Sequence, residues 1–173
     1  MADANKSGAE DDAFVMSRVF DAPSALVFKA WTDRDHLAGW FGPPGMRVAA
    51  KTVDIRPGGT FHYAMAMPDG RTVWGRWVFH EVSAPARLVF VATFSDEAGG
   101  VARNPWAADW PAHVLTTVSF AEHDGRTTLT MHAVPVDATE AERAVFRAGH
   151  VPMHGGWTAT LDQLAAYLAK APA

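Results

Sequence analysis

Glu81 and Tyr63 are the side chains of this sequence whose types best suit chemistry, because each sits in a run that alternates large aromatic residues with polar ones. Their faces follow from hairpin register. With Pro68-Asp69-Gly70 as a three-residue loop and Gly70 in the left-handed conformation, Met67 pairs with Arg71 and Tyr63 with Gly75. Phe61, Tyr63 and Met65 then share a face with Trp77, Phe79 and Glu81, while His62, Arg76 and His80 take the opposite, solvent side. A two-residue loop would instead set Arg76 and His80 beside Tyr63 and bury a cation without a partner, so the first register is preferred. On that register Glu81 is a carboxylate on an aromatic wall. Desolvation there would raise its pKa and suit it to proton transfer or to anchoring a polar ligand group; at a strand end it would meet water or Arg87. The next strand adds Leu88, Phe90 and Phe94 to the same side, and the last strand adds Leu129 and Met131.

Other reactive constellations are poorly supported. His150 and His154 have the spacing of a helical metal pair, but no glutamate follows His150 and Pro152 intervenes, so this is not the zinc-protease motif. Histidines 36, 62, 80, 113, 123 and 132 lack metal-ligand spacing, and no metal or other cofactor is expected. There is no Gly-x-Ser-x-Gly elbow, and the glycine-rich segments lack the Lys-Ser/Thr ending of a phosphate loop. Asp54 and Arg56 fall on one side of an extended strand and read as an ion pair holding a corner.

The elements that position these residues are legible in the pattern. Phe14 to Phe20 alternates as a first strand, Asp21 and Pro23 start a helix with a stripe of Leu26, Val27, Ala30 and Trp31, and Thr32 and Asp35 open a second short helix that Gly39 ends. Trp40-Phe41-Gly42-Pro43-Pro44-Gly45 is a turn. Strands are predicted near 47–54, 59–67, 72–82, 87–94, 113–120 and 126–134, separated by short Pro/Gly/Asp loops that imply an antiparallel meander. The long connection from Ser95 to Pro111 carries Trp106 and Trp110 and reads as a lid or a surface flap. Thr139-Glu140-Ala141-Glu142 is a capping box for a helix through about Ala148. Gly149, Pro152 and Gly155-Gly156 predict a kink or break, after which Met153, Trp157, Leu161, Leu164 and Leu168 line one side of a long helix to Lys170. That stripe needs a large apolar surface, and the meander is the only candidate. The predicted fold is therefore α+β, a curved antiparallel sheet gripping its own C-terminal helix, with residues 1–12 a disordered tail and 13–171 a single domain.

Bulk properties narrow the partners. The chain has 173 residues, 49% of them apolar, which suits one domain with a sizeable core. A net charge of −4 with scattered Lys and Arg gives no footprint for nucleic acid. No apolar run is long enough to span a bilayer, and the polar, acidic residues 1–12 do not resemble a signal peptide, so a cytoplasmic protein that binds no membrane is expected. The absence of cysteine is consistent with that compartment. Seven Trp, ten Phe and seven Met make either a bulky core or an aromatic-lined cavity.

Several ordered segments together resemble a known family. Phe20-Asp21-Ala22-Pro23, Ala30-Trp31-Thr32, Leu37-Ala38-Gly39-Trp40-Phe41-Gly42-Pro43 and Asp54-Ile55-Arg56-Pro57-Gly58-Gly59 resemble the START-like helix-grip (SRPBCC, Bet v-like) superfamily, in the branch named after the activator of heat-shock protein 90 ATPase. Pro68-Asp69-Gly70, Trp74-Gly75, Arg87-Leu88-Val89-Phe90, Thr127-Thr128-Leu129-Thr130 and Gly156-Trp157 with Leu161-Asp162 continue the likeness to about Lys170. The resemblance implies about seven strands around a long C-terminal helix, with a deep apolar cavity between them. Members of this superfamily bind lipids, polyketides and plant hormones, sequester antibiotics, or act as cyclases and aromatases.

The leading expectation is a binding protein for a small hydrophobic molecule, aromatic or lipid-like. Its wall would comprise Trp31, Trp40, Phe61, Tyr63, Met65, Trp77, Phe79, Phe90, Met131, Met153 and Trp157, with Glu81 and Tyr63 as polar contacts. An alternative is a cyclase- or hydrolase-type enzyme in which Glu81 transfers a proton and Tyr63 polarises a carbonyl. A third is a stress-related or chaperone-associated interaction module using the sheet's outer face or the loop around Trp106 and Trp110. A homodimer is compatible with the chain.

Overall fold

The structure, a computed structural model, describes residues 10–170. The strands are β1 (Phe14–Phe20), β2 (Arg47–Val53), β3 (Thr60–Ala66), β4 (Thr72–Ser83), β5 (Arg87–Ser95), β6 (His113–His123) and β7 (Arg126–Val136). The helices are α1 (Ser24–Thr32), α2 (Arg34–Trp40), α3 (Glu140–Ala148) and α4 (His150–Lys170). All strand pairs are antiparallel, and the order across the sheet is β1-β7-β6-β5-β4-β3-β2. The meander therefore runs in sequence from β2 to β7, and β1 closes the far edge beside β7.

One face of this sheet carries Phe61, Trp77, Phe79, Leu88, Phe90, Val118, Phe120, Leu129 and Met131, all buried. Against it lies α4, whose Leu161, Leu164 and Leu168 are buried in the same cluster. Each fully buried aliphatic side chain contributes about 1.5–3 kcal/mol, so this seam is the main attachment of helix to sheet. The small helices plug one end. Val27 and Trp31 of α1 and Leu37 and Trp40 of α2 are buried there, and the Trp40 indole N–H donates to the Ala30 carbonyl at 2.9 Å.

Local signals act much as their chemistry dictates. The 68–70 loop closes with Met67 N–H to the Arg71 carbonyl at 2.8 Å and Gly70 at φ 88°, and Tyr63 stands opposite Gly75. The capping box at Thr139 is formed, with Glu142 returning to the Thr139 backbone N–H at 2.8 Å. Asp54 and Arg56 pair at 2.9 Å on the surface.

Four differences from the sequence reading have physical causes. Of the stretch through Asp12 expected to be a tail, residues 1–9 lie outside the described residues, and Asp12 is buried because Arg143 and Arg147 of α3 both donate to its carboxylate. The α2 cap is Asp33, whose carboxylate accepts from the Asp35 and His36 N–H groups, and Gly39 lies inside the helix, where the Tyr167 ring occupies the space a side chain would take. The expected break falls at Gly149, between α3 and α4, and none follows at Pro152 or Gly155-Gly156, since α4 is continuous from His150. Pro152 falls in its first turn, where a missing N–H breaks no helical bond. His62, expected on the solvent side, is buried on the sheet's outer face: residues 96–100 fold over it, its Nε2 lies 3.0 Å from the Asp96 carbonyl, and Arg76 beside it donates to the Gly99 carbonyl.

Candidate functional site

The space between the sheet and the first half of α4 is not filled by side chains. Two cavities occupy it, an inner one of about 250 Å³ and an outer one of about 610 Å³. Phe41, Tyr63, Met65, Phe94, Trp110, Met153 and Trp157 line both, so the two adjoin at a collar made of these residues. Trp77, Phe90, Val114, Thr116 and Met131 complete the inner chamber, while Asn104, Trp106, Val145, Gly149 and Pro152 surround the outer one. Among the described residues the lining holds no Asp, Glu, Lys, Arg or His.

Three collar residues are positioned by identifiable local devices. Tyr63 points inward from β3 and its ring lies across β4 at Gly75, where a Cβ would come within 2.5 Å of its hydroxyl. Burial raises the Tyr63 pKa to about 12, with a hydrogen bond from the Trp77 side chain acting in the opposite direction. Phe41 follows α2 in the turn whose Gly42 has φ 113°, and the Gln163 amide of α4 donates to the Gly42 carbonyl and, at 3.3 Å, to that of Trp40. That turn drives the Phe41 ring edge-on against Phe61, Tyr63 and Trp77 at centroid distances of 5.4, 5.1 and 5.2 Å. Trp110 rests on the junction of α3 and α4, 5.2 Å from the Phe146 ring, over Gly149, where a Cβ would lie 2.7 Å from it.

The aromatic walls are ordered into planes. Trp77 stacks on Phe90 at 4.2 Å and 15°, and Trp31, behind the cavity, lies within 24° of Trp77 and within 15° of Trp157.

Of the wall residues predicted from sequence, Tyr63, Met65, Trp77, Phe90, Met131, Met153 and Trp157 come together around the cavities. Trp31, Trp40, Phe61 and Phe79 do not line them. They are 0–2% exposed and packed into the closed end, where α1, α2 and the second half of α4 leave no space.

Glu81 is displaced more decisively. A bulge at His80 breaks the β4–β5 register, so Phe79 stands opposite Phe90 but Glu81 stands opposite Val89. The extra residue reverses the alternation and turns Glu81 to the outer side. There its side chain is 41% exposed, pairs with Arg87 at 3.5 Å and accepts from the Ser83 hydroxyl at 2.9 Å. The lining residues that sequence reasoning left out are chiefly Phe41, Trp110, Val114 and Thr116. Phe41 and Trp110 were visible only as bulky residues in irregular segments, where periodicity assigns no face.

The His150 ring packs between Phe14 and Phe146, and no group of three or more potential metal ligands occurs among the described residues. Nor is any described helix long and apolar enough to cross a membrane.

Comparison with solved structures finds the same architecture repeatedly. A crystal structure of a Mycobacterium smegmatis protein is 27% identical with a TM-score of 0.74, covering 95% of each chain. A solution structure from Arthrobacter aurescens is also 27% identical, with a TM-score of 0.77 over 95% of this chain and 88% of that one. One from Staphylococcus epidermidis is 25% identical, with a TM-score of 0.72 over 92% and 90%. No curated protein sequence matches the chain. The family model described as "Activator of Hsp90 ATPase homolog 1-like protein" matches residues 21–169, from the start of α1 to the last turn of α4. The chain belongs to that family, and its fold is the START-like helix grip.

Proposed function

We propose that this protein binds a small apolar molecule, aromatic or lipid-like, between its sheet and its C-terminal helix. The observation that carries the reading is the pair of adjoining cavities, about 250 and 610 Å³, walled by aromatic and aliphatic side chains. Concave, mostly apolar sites with few polar groups are the usual form of small-molecule pockets. An α+β scaffold with a loop carrying Trp106 and Trp110 beside the outer cavity suits uptake and release of such a ligand. A cytoplasmic setting goes with this proposal.

Native mass spectrometry of the freshly purified chain, followed by thermal-shift screening against aromatic polyketides, flavonoids and fatty acids, tests it. A co-purifying mass, or a melting temperature that rises with ligand concentration, is the expected result, since ligand at a hundredfold over Kd stabilises the native state by about 2.7 kcal/mol. The absence of both across the panel would argue against an occupied pocket.

The proton-transfer alternative has lost its carboxylate, because Glu81 faces away from the cavities and is already paired. Glu81→Gln is expected to leave ligand affinity unchanged and to alter stability by no more than about 1 kcal/mol, as for other exposed ion pairs. A large effect on binding would reopen the enzymatic reading.

A further inference from the structure

Resting on that binding reading, the chemistry of the collar narrows the ligand. We propose that it is an uncharged molecule bearing a hydrogen-bond acceptor, such as a ketone or ether oxygen, which meets the Tyr63 hydroxyl where the two chambers join.

Two observations support this independently. The first is that, among the described residues, no ionisable side chain other than Tyr63 lines either chamber. Several charged groups elsewhere in the fold are engaged with one another: Glu81 with Arg87, Arg18 with Asp162, and Asp12 with Arg143 and Arg147. An anion or cation drawn into the inner chamber would give up its hydration and find no counter-charge.

The second concerns the donor capacity of Tyr63. The neighbouring Trp77 indole can only donate, so it does not take up the phenolic O–H. No described group of the protein accepts that proton. Gly75 leaves its own position empty, which lets the ring lie over β4 with its hydroxyl at the collar. Burial also keeps the phenol protonated far above neutral pH, so it acts as a fixed donor and does not become a counter-anion. Leaving such a donor unmet is unfavourable, and a ligand acceptor relieves it.

One set of probes sharing a single skeleton separates these claims: 2-ethylnaphthalene, 2-acetylnaphthalene and 2-naphthoate, titrated into the full chain at pH 7 with tryptophan fluorescence and calorimetry as readouts. The ketone is expected to bind about five- to tenfold more tightly than the hydrocarbon, as for one added hydrogen bond. The carboxylate should bind at least about a hundredfold more weakly than the ketone. Tyr63→Phe, which keeps the ring, is expected to abolish the ketone's advantage while the hydrocarbon binds as before. Equal or tighter binding of 2-naphthoate, or a ketone preference that survives in Tyr63→Phe, would overturn the inference and leave the binding reading standing. If none of the three binds, the cavity reading falls and this inference with it. The ranking on the wild-type chain decides the question even where Tyr63→Phe proves unstable.

Discussion

Glycine 75 is the residue on which the site's polarity depends. In a strand interior glycine is ordinarily unfavourable, and here the missing side chain is replaced by the Tyr63 ring, which a Cβ would meet at 2.5 Å. Gly75→Ala is therefore expected to destabilise the fold by about 1–3 kcal/mol through overpacking, measured by urea denaturation, despite alanine's better strand propensity. It should also push Tyr63 toward solvent and lower its ionisation midpoint from about 12, which absorbance at alkaline pH would detect. Because the folded value is raised above the ordinary 10.0, the Tyr63 contribution to stability is complete below pH 10 and declines as pH rises through about 12. Unchanged stability and titration in Gly75→Ala would show that the close approach is not a constraint.

At the scale of elements, the attachment of α3 governs one wall of the outer cavity, since Val145 and Ala148 lie on that helix. Asp12, just ahead of β1, is the anchor. Burial alone would raise its carboxyl, but hydrogen bonds from Arg147 and Arg143 outweigh that and hold it below the usual 3.8. A carboxyl lowered on folding stabilises the native state fully above its unfolded value, and that contribution is lost as pH falls from about 3.8 through the lower folded value. Asp12→Asn is expected to reduce stability by about 2 kcal/mol at pH 7, in line with the loss of hydrogen bonds to charged groups, and to flatten the acid limb of the stability profile. A variant that keeps the wild-type acid limb would place the acid sensitivity elsewhere. The continuous α4 matters in the same way: its first turns, with Met153 and Trp157, face open space, and its later turns face a packed core.

That division extends to the whole molecule. The sheet and α4 form a wedge, closed at the end plugged by α1 and α2 and open toward residues 104–110. Leu164, fully buried in the closed end, is expected to lose about 2–5 kcal/mol on Leu164→Ala, as for other truncations in a packed core. Met153, which borders both cavities, has fewer atoms to lose contact with, so Met153→Ala should be markedly less destabilising and should alter ligand affinity instead. Paired denaturation and binding measurements check the contrast. Equal losses at the two positions would mean that the cavities collapse around the helix in solution.

The wedge also separates what sequence and tertiary structure each decided. Turn chemistry and alternation determined the 68–70 hairpin, its register and the inward face of Tyr63, because a left-handed Gly70 and a period of two are local properties of the chain. The helix stripe from Met153 to Leu168 likewise announced an element that needed a sheet. Which of those apolar residues would fill space and which would border it was not written locally. Trp31 and Trp157 are equally aromatic and nearly parallel, yet one is sealed at the closed end and the other lines the collar, because packing depends on how far α1 and α2 reach along the wedge. Glu81 depended on a single extra residue at His80, a bulge that alternation cannot reveal and that only pairing with β5 imposes.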